Sequence, residues 1–273
     1  MENNLRMDLR RLWRGKLLVT ALAILLGITL ALYGMFVFIT GDGILWFWGN
    51  IMHEPVTAAE ITDTYAMRNT TILQTFLGEI PIYWIIAYTA LTFTAQDFRS
   101  GYCKNLFTRA GSRRDYIVGR MVSLLLVSVA LVVSVYLLSA ALGVCGVFAG
   151  GPGGTLADWL GSAVHQIAGC WAYAMFAQFV AVLLWRNGFG AVTLFLFVVG
   201  IPQTVIFLAV ELLHLTAVSE FMNYLIGPMA EYQPLLVSTH GLGYLAQAVL
   251  LLVVWGFVYA ALSGLVLKRR DLA

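Results

Sequence analysis

The fold of this chain is decided by the stretch from Met121 to Phe148, which reads MVSLLLVSVALVVSVYLLSAALGVCGVF and contains no charged residue. A helix that crosses the roughly 30 Å hydrocarbon core of a membrane needs about 20 mostly apolar residues, and this stretch is longer. The composition agrees, because 60% of the 273 residues are hydrophobic and 11% are charged. A soluble domain carries roughly 25% charged residues. We therefore expect an integral membrane protein.

Uncharged runs of similar length predict five further spans. The second apolar run, Ile80 to Ala95, is short, but Ile72, Phe76 and Ile80 recur four apart and extend it upstream, with Pro81 bending the helix. We predict an all-α fold with one polytopic membrane domain over the whole chain. The six predicted spans are residues 17–39, 72–95, 117–148, 164–185, 189–210 and 242–267, and the extracytoplasmic segments are residues 40–71 and 211–241.

The basic residues predict the orientation of the spans. If both termini are cytoplasmic, the segments 1–16, 96–120, 186–188 and 268–273 face the cytoplasm and hold 15 of the 16 Lys and Arg residues. Arg68 lies outside them. Cytoplasmic loops of membrane proteins carry an excess of Lys and Arg. Both termini are therefore predicted to be cytoplasmic.

The first 16 residues predict an amphipathic helix that lies in the membrane interface and forms an elbow with the first span. Its apolar side would face the acyl boundary, and its arginines would face anionic head groups. A disordered basic tail that only sets the topology is the alternative. The apolar side carries Leu5, Leu9, Leu12 and Trp13, and the opposite side carries Arg6, Arg10, Arg11 and Arg14.

The segment between the second and third spans carries most of the functional information. Phe98, Tyr102 and Leu106 are spaced four apart and predict a short helix with one apolar stripe. Gly111 can end that helix, and Ser112 begins a capping box that starts the next one. Two helices would then meet at a sharp corner, shaped to fit a groove on a cytoplasmic partner.

The same segment carries a motif, the series Asp97, Ser100-Gly101, Leu106 and Gly111-Ser112-Arg113. It resembles the membrane subunits of type-2 ABC exporters, especially the six-span bacterial kind of peptide, lantibiotic and bacteriocin export or immunity systems. That family has an acidic residue at the cytoplasmic end of the second span, then Ser-Gly, a helix with a leucine, and Gly or Pro before Ser-Arg. Tyr102 replaces the usual Thr. The resemblance extends to the interfacial helix, the six spans and the apolar outer segment before the last span.

The resemblance implies a permease subunit in a bacterial cell membrane. Two permeases, identical or homologous, would form the substrate pathway above two separate ATPase subunits that bind ATP and Mg. Residues 97–109 would be the coupling helix seated in a cleft of the ATPase. The cargo would be an amphipathic peptide, a lantibiotic or another hydrophobic compound, and no nucleic acid is implied. The residues implied at the ATPase contact are Asp97, Arg99, Gly101, Tyr102, Asn105, Leu106, Arg109 and Arg113.

Aromatic side chains of the fourth span are candidates for the substrate pathway, with packing or lipid contact as the alternative. They are Trp171, Tyr173 and Phe176.

The sequence lacks the motifs that nucleotide binding or cysteine chemistry within this chain would need. A phosphate-binding loop needs Gly-Lys followed by Ser or Thr, whereas Gly15-Lys16 is followed by Leu17. The three cysteines are scattered without a C-x-x-C pair. We therefore expect no catalytic, cofactor or metal site here, and we assign ATP hydrolysis to a partner chain.

Other classes of membrane protein remain as alternatives. An ATP-independent immunity or sensor protein would bind a peptide without an ATPase. An intramembrane hydrolase would need paired ligands, but His53-Glu54 is followed by Pro55, and His165 is expected to be solvated near an outer boundary. A secondary transporter would bury ionisable groups at the midplane, whereas Glu79 and Glu211 lie at predicted outer ends.

Overall fold

A computed structural model describes six helices of the chain. It describes residues 2–40, 80–100, 113–144, 155–184, 190–193, 196, 208 and 237–269. Within these residues the structure is helical without a strand, which confirms the predicted all-α class for this part of the chain. The helices are α1 (Glu2–Arg14), α2 (Leu17–Thr40), α3 (Ile80–Arg99), α4 (Arg113–Val144), α5 (Leu156–Leu184) and α6 (Val237–Arg269).

Among the residues that the structure describes, four helices are long and apolar enough to cross a membrane. The qualifying stretches are Leu17–Met35 in α2, Arg113–Leu142 in α4, Leu156–Leu184 in α5 and Gly241–Arg269 in α6. α3 corresponds to the predicted second span, and the upstream residues 72–79 lie outside the described part. The predicted fifth span and both predicted extracytoplasmic segments fall mostly outside it too.

α5 lies at the centre of the described bundle. In its most apolar window 72% of the residues are buried, against 22% in the corresponding windows of α2 and α6. It packs against α6, α3 and α4. Glycines allow two close approaches: a Cβ at Gly169 would lie 2.8 Å from the Tyr83 hydroxyl, and one at Gly256 would lie 2.5 Å from the Trp171 ring.

The predicted elbow between α1 and α2 is a two-residue turn. The Gly15 amide donates to the Arg11 carbonyl oxygen at 2.8 Å, and Lys16 adopts a left-handed backbone with φ of 58°. A Cβ at Gly15 would lie 2.7 Å from that same oxygen, so this position requires glycine. α1 then packs against α4 and α2.

The end of α3 and the start of α5 differ from the predicted spans, and α4 begins four residues before the predicted 117. α3 continues past Ala95 to Arg99, so Asp97 belongs to its last turn rather than to a separate helix. α5 begins at Leu156, eight residues before the predicted 164, because Thr155 and Asp158 form a reciprocal capping box. The Thr155 hydroxyl oxygen accepts from the Asp158 amide at 3.2 Å, and the Asp158 carboxylate accepts from the Thr155 amide at 2.9 Å.

The start of α4 agrees with the predicted capping box, and the break in α6 agrees with the predicted last span. α4 begins at Arg113, directly after the predicted capping position 112. α6 is interrupted at Gly241, whose φ of 80° breaks the helical path one residue before the predicted start of the last span.

Candidate functional site

Asp97 lies at the centre of a buried cluster of charged side chains. Its side chain is fully buried in the last turn of α3. Arg11 of α1 places Nη2 2.6 Å from its Oδ1. Arg120 of α4 forms an ion pair with its Oδ2, and the Tyr116 hydroxyl donates to that oxygen at 3.0 Å. One carboxylate therefore joins three helices.

The spacing of residues within α3 and α4 places these groups opposite one another. Phe93 lies one turn before Asp97, and Tyr116 lies one turn before Arg120, so each pair shares a helix face. The Arg120 guanidinium lies 3.6 Å from the centre of the Phe93 ring and 5.4 Å from that of Tyr116. Both rings shield the ion pair from the surroundings and attract the cation through their π faces.

Asp8 of α1 completes the cluster. Its Oδ2 lies 3.7 Å from Nη1 of Arg120, and the residue is 4% exposed. Burial raises the pKa of the Asp8 carboxyl above its ordinary value, while the charges of Arg120 and Arg11 oppose that rise. Two carboxylates thus face two guanidinium groups. We call Asp8, Phe93, Asp97, Tyr116 and Arg120, together with Arg11, the charged joint.

Hydrogen bonds of Arg113, which we call the Arg113 tie, join the start of α4 to the end of α6. Nη1 of Arg113 donates to the carbonyl oxygens of Leu267 at 2.5 Å and Lys268 at 3.0 Å. The last carbonyls of a helix have no partner within the helix, and a cation beside them also interacts favourably with the helix dipole. The two helices that flank residues 101–112 are therefore attached to α1 and α6.

The predicted ATPase-contact residues divide into two groups. Asp97 is in the charged joint, Arg113 is tied to α6, and Arg99 is exposed at the end of α3. The other five lie outside the described residues: Gly101, Tyr102, Asn105, Leu106 and Arg109.

Most of the charged joint is not predicted by the sequence patterns. The Lys and Arg distribution assigns Arg120 to a cytoplasmic loop, whereas the structure buries it completely within α4. A sequence signal for the joint is an aromatic residue four positions before a charged one, which occurs on each side of the segment 100–112. These are Phe93 before Asp97 and Tyr116 before Arg120.

The structure turns one side of α1 toward the bundle. Leu12, predicted to face the acyl boundary, is 1% exposed and packs in the core, and Arg11, predicted to face head groups, points inward to Asp97. Both expectations are corrected, because the carboxylate of Asp97 attracts Arg11 and α1 packs on α4. Trp13, Arg10 and Arg14 are exposed, and the side chains of Leu5 and Leu9 lie outside the described part.

The three aromatic candidates of the fourth span make contacts within the chain. The Trp171 indole donates to the Met121 carbonyl oxygen at 3.1 Å. Tyr173 lies 4.9 Å from the Tyr83 ring, and Phe176 lies 5.1 Å from the Tyr259 ring. These contacts join α5 to α3, α4 and α6, and the pathway role stays a prediction.

His165 differs from its expected environment. It is 3% exposed inside α5, rather than solvated at a boundary, because α5 starts earlier than predicted and His165 lies on the buried side of its first turns, with Asp158 and Ser162. Among the described residues, no three His, Cys, Asp or Glu side chains gather as a metal site.

Comparison with known proteins identifies a family. Residues 47–273, which include α3 to α6, match the family described as "Protein of unknown function (DUF2705)". No curated protein and no solved structure matches the chain. The chain belongs to the DUF2705 family.

Proposed function

We propose that the chain is a six-span protein of the bacterial cell membrane with both termini in the cytoplasm. The four long apolar helices support this placement. The concentration of 15 of the 16 Lys and Arg residues in the segments assigned to the cytoplasm supports the orientation. Under this placement, the charged joint lies at the inner membrane surface, and α1 is the interfacial elbow helix.

In this membrane, the chain is the permease subunit of an ATP-driven exporter. The observation that carries this proposal is the charged joint, where Asp97 binds Arg11 of α1 and Arg120 of α4. Residues 101–112 connect α3 to α4 between this joint and the Arg113 tie. A force applied to that short segment would therefore reach α1, α3, α4 and α6 together.

The force comes from a separate pair of ATPase subunits. ATP can change the permease only through different affinities of the ATPase for its two states, because a ligand with equal affinity for both shifts no equilibrium. The coupling segment, residues 97–109, whose first three residues end α3, transmits closure of the ATPase to the joint. The chain itself contributes no catalytic residue, and ATP with Mg binds to the partner.

A second permease, either another copy of this chain or a homologous one, completes the substrate pathway. The cargo is an amphipathic peptide or another hydrophobic compound, because the helices that would enclose it are apolar and aromatic. Trp171, Tyr173 and Phe176 are the residues we assign to that pathway in the state that admits cargo.

The experiment changes the coupling helix and leaves the joint intact. Leu106→Ala combined with Arg109→Glu should abolish cargo-dependent ATP hydrolysis by the purified complex, or release the ATPase, while the chain still inserts. Leu30→Ala combined with Arg6→Glu makes the same chemical changes at two exposed positions of α2 and α1. This control should behave as the wild type. Unchanged hydrolysis and unchanged ATPase binding in the first variant would refute the coupling-helix assignment.

A further inference from the structure

A cavity of about 560 Å³ lies in the angle between α1 and α3, next to the elbow. Three arginines of α1 line it, together with apolar side chains of α1, α2 and α3 and the Gln96 amide of α3. Ligand cavities in proteins commonly have volumes of roughly 300–1,000 Å³. The lining includes Arg10, Arg11, Arg14, Met7, Leu17 and Phe93.

The arginine side of the cavity is strongly cationic. Arg10 and Arg14 are exposed and one helical turn apart, so their like charges repel. Within the described residues neither of them forms an ion pair with a carboxylate, whereas Arg11 is bound to Asp97. An anion between Arg10 and Arg14 would remove that repulsion. The planar guanidinium group binds phosphate oxygens in a bidentate manner, which makes phosphate the best matched anion.

The apolar side of the cavity selects what the phosphate is attached to. Met7, Leu17 and Phe93 offer no hydrogen-bonding side chain and favour a hydrocarbon group, while Gln96 is the uncharged polar side chain of the lining. Leu17 is also the first residue of the apolar helix α2. The cavity therefore combines three cations of α1 with an apolar part that includes the start of α2.

The elbow fixes the shape of this cavity. Gly15 bonds back to Arg11, and Lys16 has the left-handed backbone that turns α1 away from α2. Arg10, Arg11 and Arg14 are consequently held on a helix whose inner face is anchored by Leu12 and Asp8. The site is preformed, which lowers the entropic cost of binding.

We propose that this cavity binds the phosphate group of an anionic lipid, with the lipid chain against Met7, Leu17 and Phe93. The proposal rests on the membrane placement given above, but it requires no ATPase partner. The inner leaflet is rich in anionic head groups, so the ligand is available at the proposed depth. Because Arg11 lines the cavity and also binds Asp97, an occupied site adjoins the charged joint directly.

The test measures lipid binding to the purified full chain in detergent by native mass spectrometry. The probes are phosphatidylglycerol, phosphatidylcholine, glycerol phosphate and inorganic phosphate. We expect the wild type to prefer phosphatidylglycerol over phosphatidylcholine, and Arg10→Gln with Arg14→Gln to reduce that preference about tenfold. Arg114→Gln with Arg269→Gln removes the same charge from two exposed positions that do not line the cavity, and it should leave the preference unchanged.

Two results would overturn the proposal, and a third would contradict its bidentate contact. Equal loss in both double variants would show general charge attraction rather than a site. Displacement of the lipid by equimolar inorganic phosphate or glycerol phosphate would show a site for soluble phosphate. Full affinity in Arg10→Lys with Arg14→Lys, which keeps the charge and loses the planar fork, would contradict the bidentate assignment. No ATPase is present in this experiment, so its outcome is independent of the exporter proposal.

Discussion

Nη2 of Arg11 lies 2.6 Å from Oδ1 of Asp97, although Arg11 belongs to α1 and Asp97 ends α3. The guanidinium of Arg120 approaches the same carboxylate from α4. A buried ion of this kind costs several kcal/mol to desolvate, and its partners must repay that cost. Such a joint holds its three helices in one arrangement, or allows them to exchange between two arrangements as a unit.

Loss of the Asp97 charge should destabilise the protein. Asp97→Asn leaves Arg120 buried without a full counter-charge, which we expect to lower the free energy of unfolding by about 3–5 kcal/mol. Thermal and denaturant unfolding in detergent measure this loss. Arg114→Gln, at an exposed position of the same helix as Arg120, should change the free energy by less than about 0.5 kcal/mol.

Replacing Asp97 and Arg120 together distinguishes a role of this ion pair in stability from a role in ATP-coupled transport. Asp97→Leu combined with Arg120→Met replaces the ion pair by apolar side chains of similar size, and such replacements are often neutral in stability. We expect this variant to recover more than half of the loss seen for Asp97→Asn and still to fail in ATP-coupled transport. Recovery of both properties would show that the joint is only structural.

The pKa of Asp8 predicts a pH dependence. Burial raises the pKa of this carboxyl in the folded state above its ordinary value of 3.8, so the folded state binds more protons between the two pKa values. The free energy of unfolding therefore falls as the pH rises through that window. We expect the difference in this free energy between wild type and Asp8→Asn to decrease from pH 4 to pH 7. An unchanged or growing difference would contradict the environment described for Asp8.

The Arg113 tie should stabilise the last turn of α6. Arg113→Gln removes the hydrogen bonds to the carbonyl oxygens of Leu267 and Lys268, which we expect to cost about 1–2 kcal/mol of local stability. Hydrogen exchange of the backbone amides in residues 264–269 should become faster. Arg114→Gln changes the adjacent exposed arginine and should leave the exchange rates as they are; equal acceleration in both variants would contradict the tie.

The contact between α5 and α6 requires glycine at Gly256. Gly256→Ala places a methyl group 2.5 Å from the Trp171 ring, and we expect a loss of about 1–3 kcal/mol in the free energy of unfolding. Gly243→Ala on the same helix meets nothing within 4 Å and should be neutral or slightly stabilising. Trp171→Phe should relieve part of the Gly256→Ala loss, and an additive loss in the double variant would contradict this contact.

The sequence predicted the described helices well where a single run of residues decides the structure. Uncharged length located α2, α4 and α6, and the capping pattern located the start of α4. The resemblance identified Asp97 as a residue of interest, although the geometry around it could not be read from the sequence. Arg11 and Arg120 meet Asp97, and Asp8 reaches Arg120, only after three helices pack together.

Boundaries were misplaced where a polar side chain finds a partner inside the protein. The apolar run ended before Asp97, but Arg11 and Arg120 satisfy that carboxylate and α3 continues to Arg99. The same reasoning began the fourth span too late, because it did not use the capping pair at the start of α5. The pairing of Asp97 depends on tertiary structure, which no local window of sequence contains. The capping pair Thr155 and Asp158 is three residues apart and is a local signal.

The most direct test of the account measures ATP hydrolysis by the tagged full chain after affinity purification from its native membranes. We predict Mg-dependent hydrolysis that accompanies the wild-type chain and is lost or uncoupled from cargo with Leu106→Ala and Arg109→Glu. The account would be contradicted if the chain, reconstituted alone in vesicles without nucleotide, transported or cleaved its substrate at the full rate.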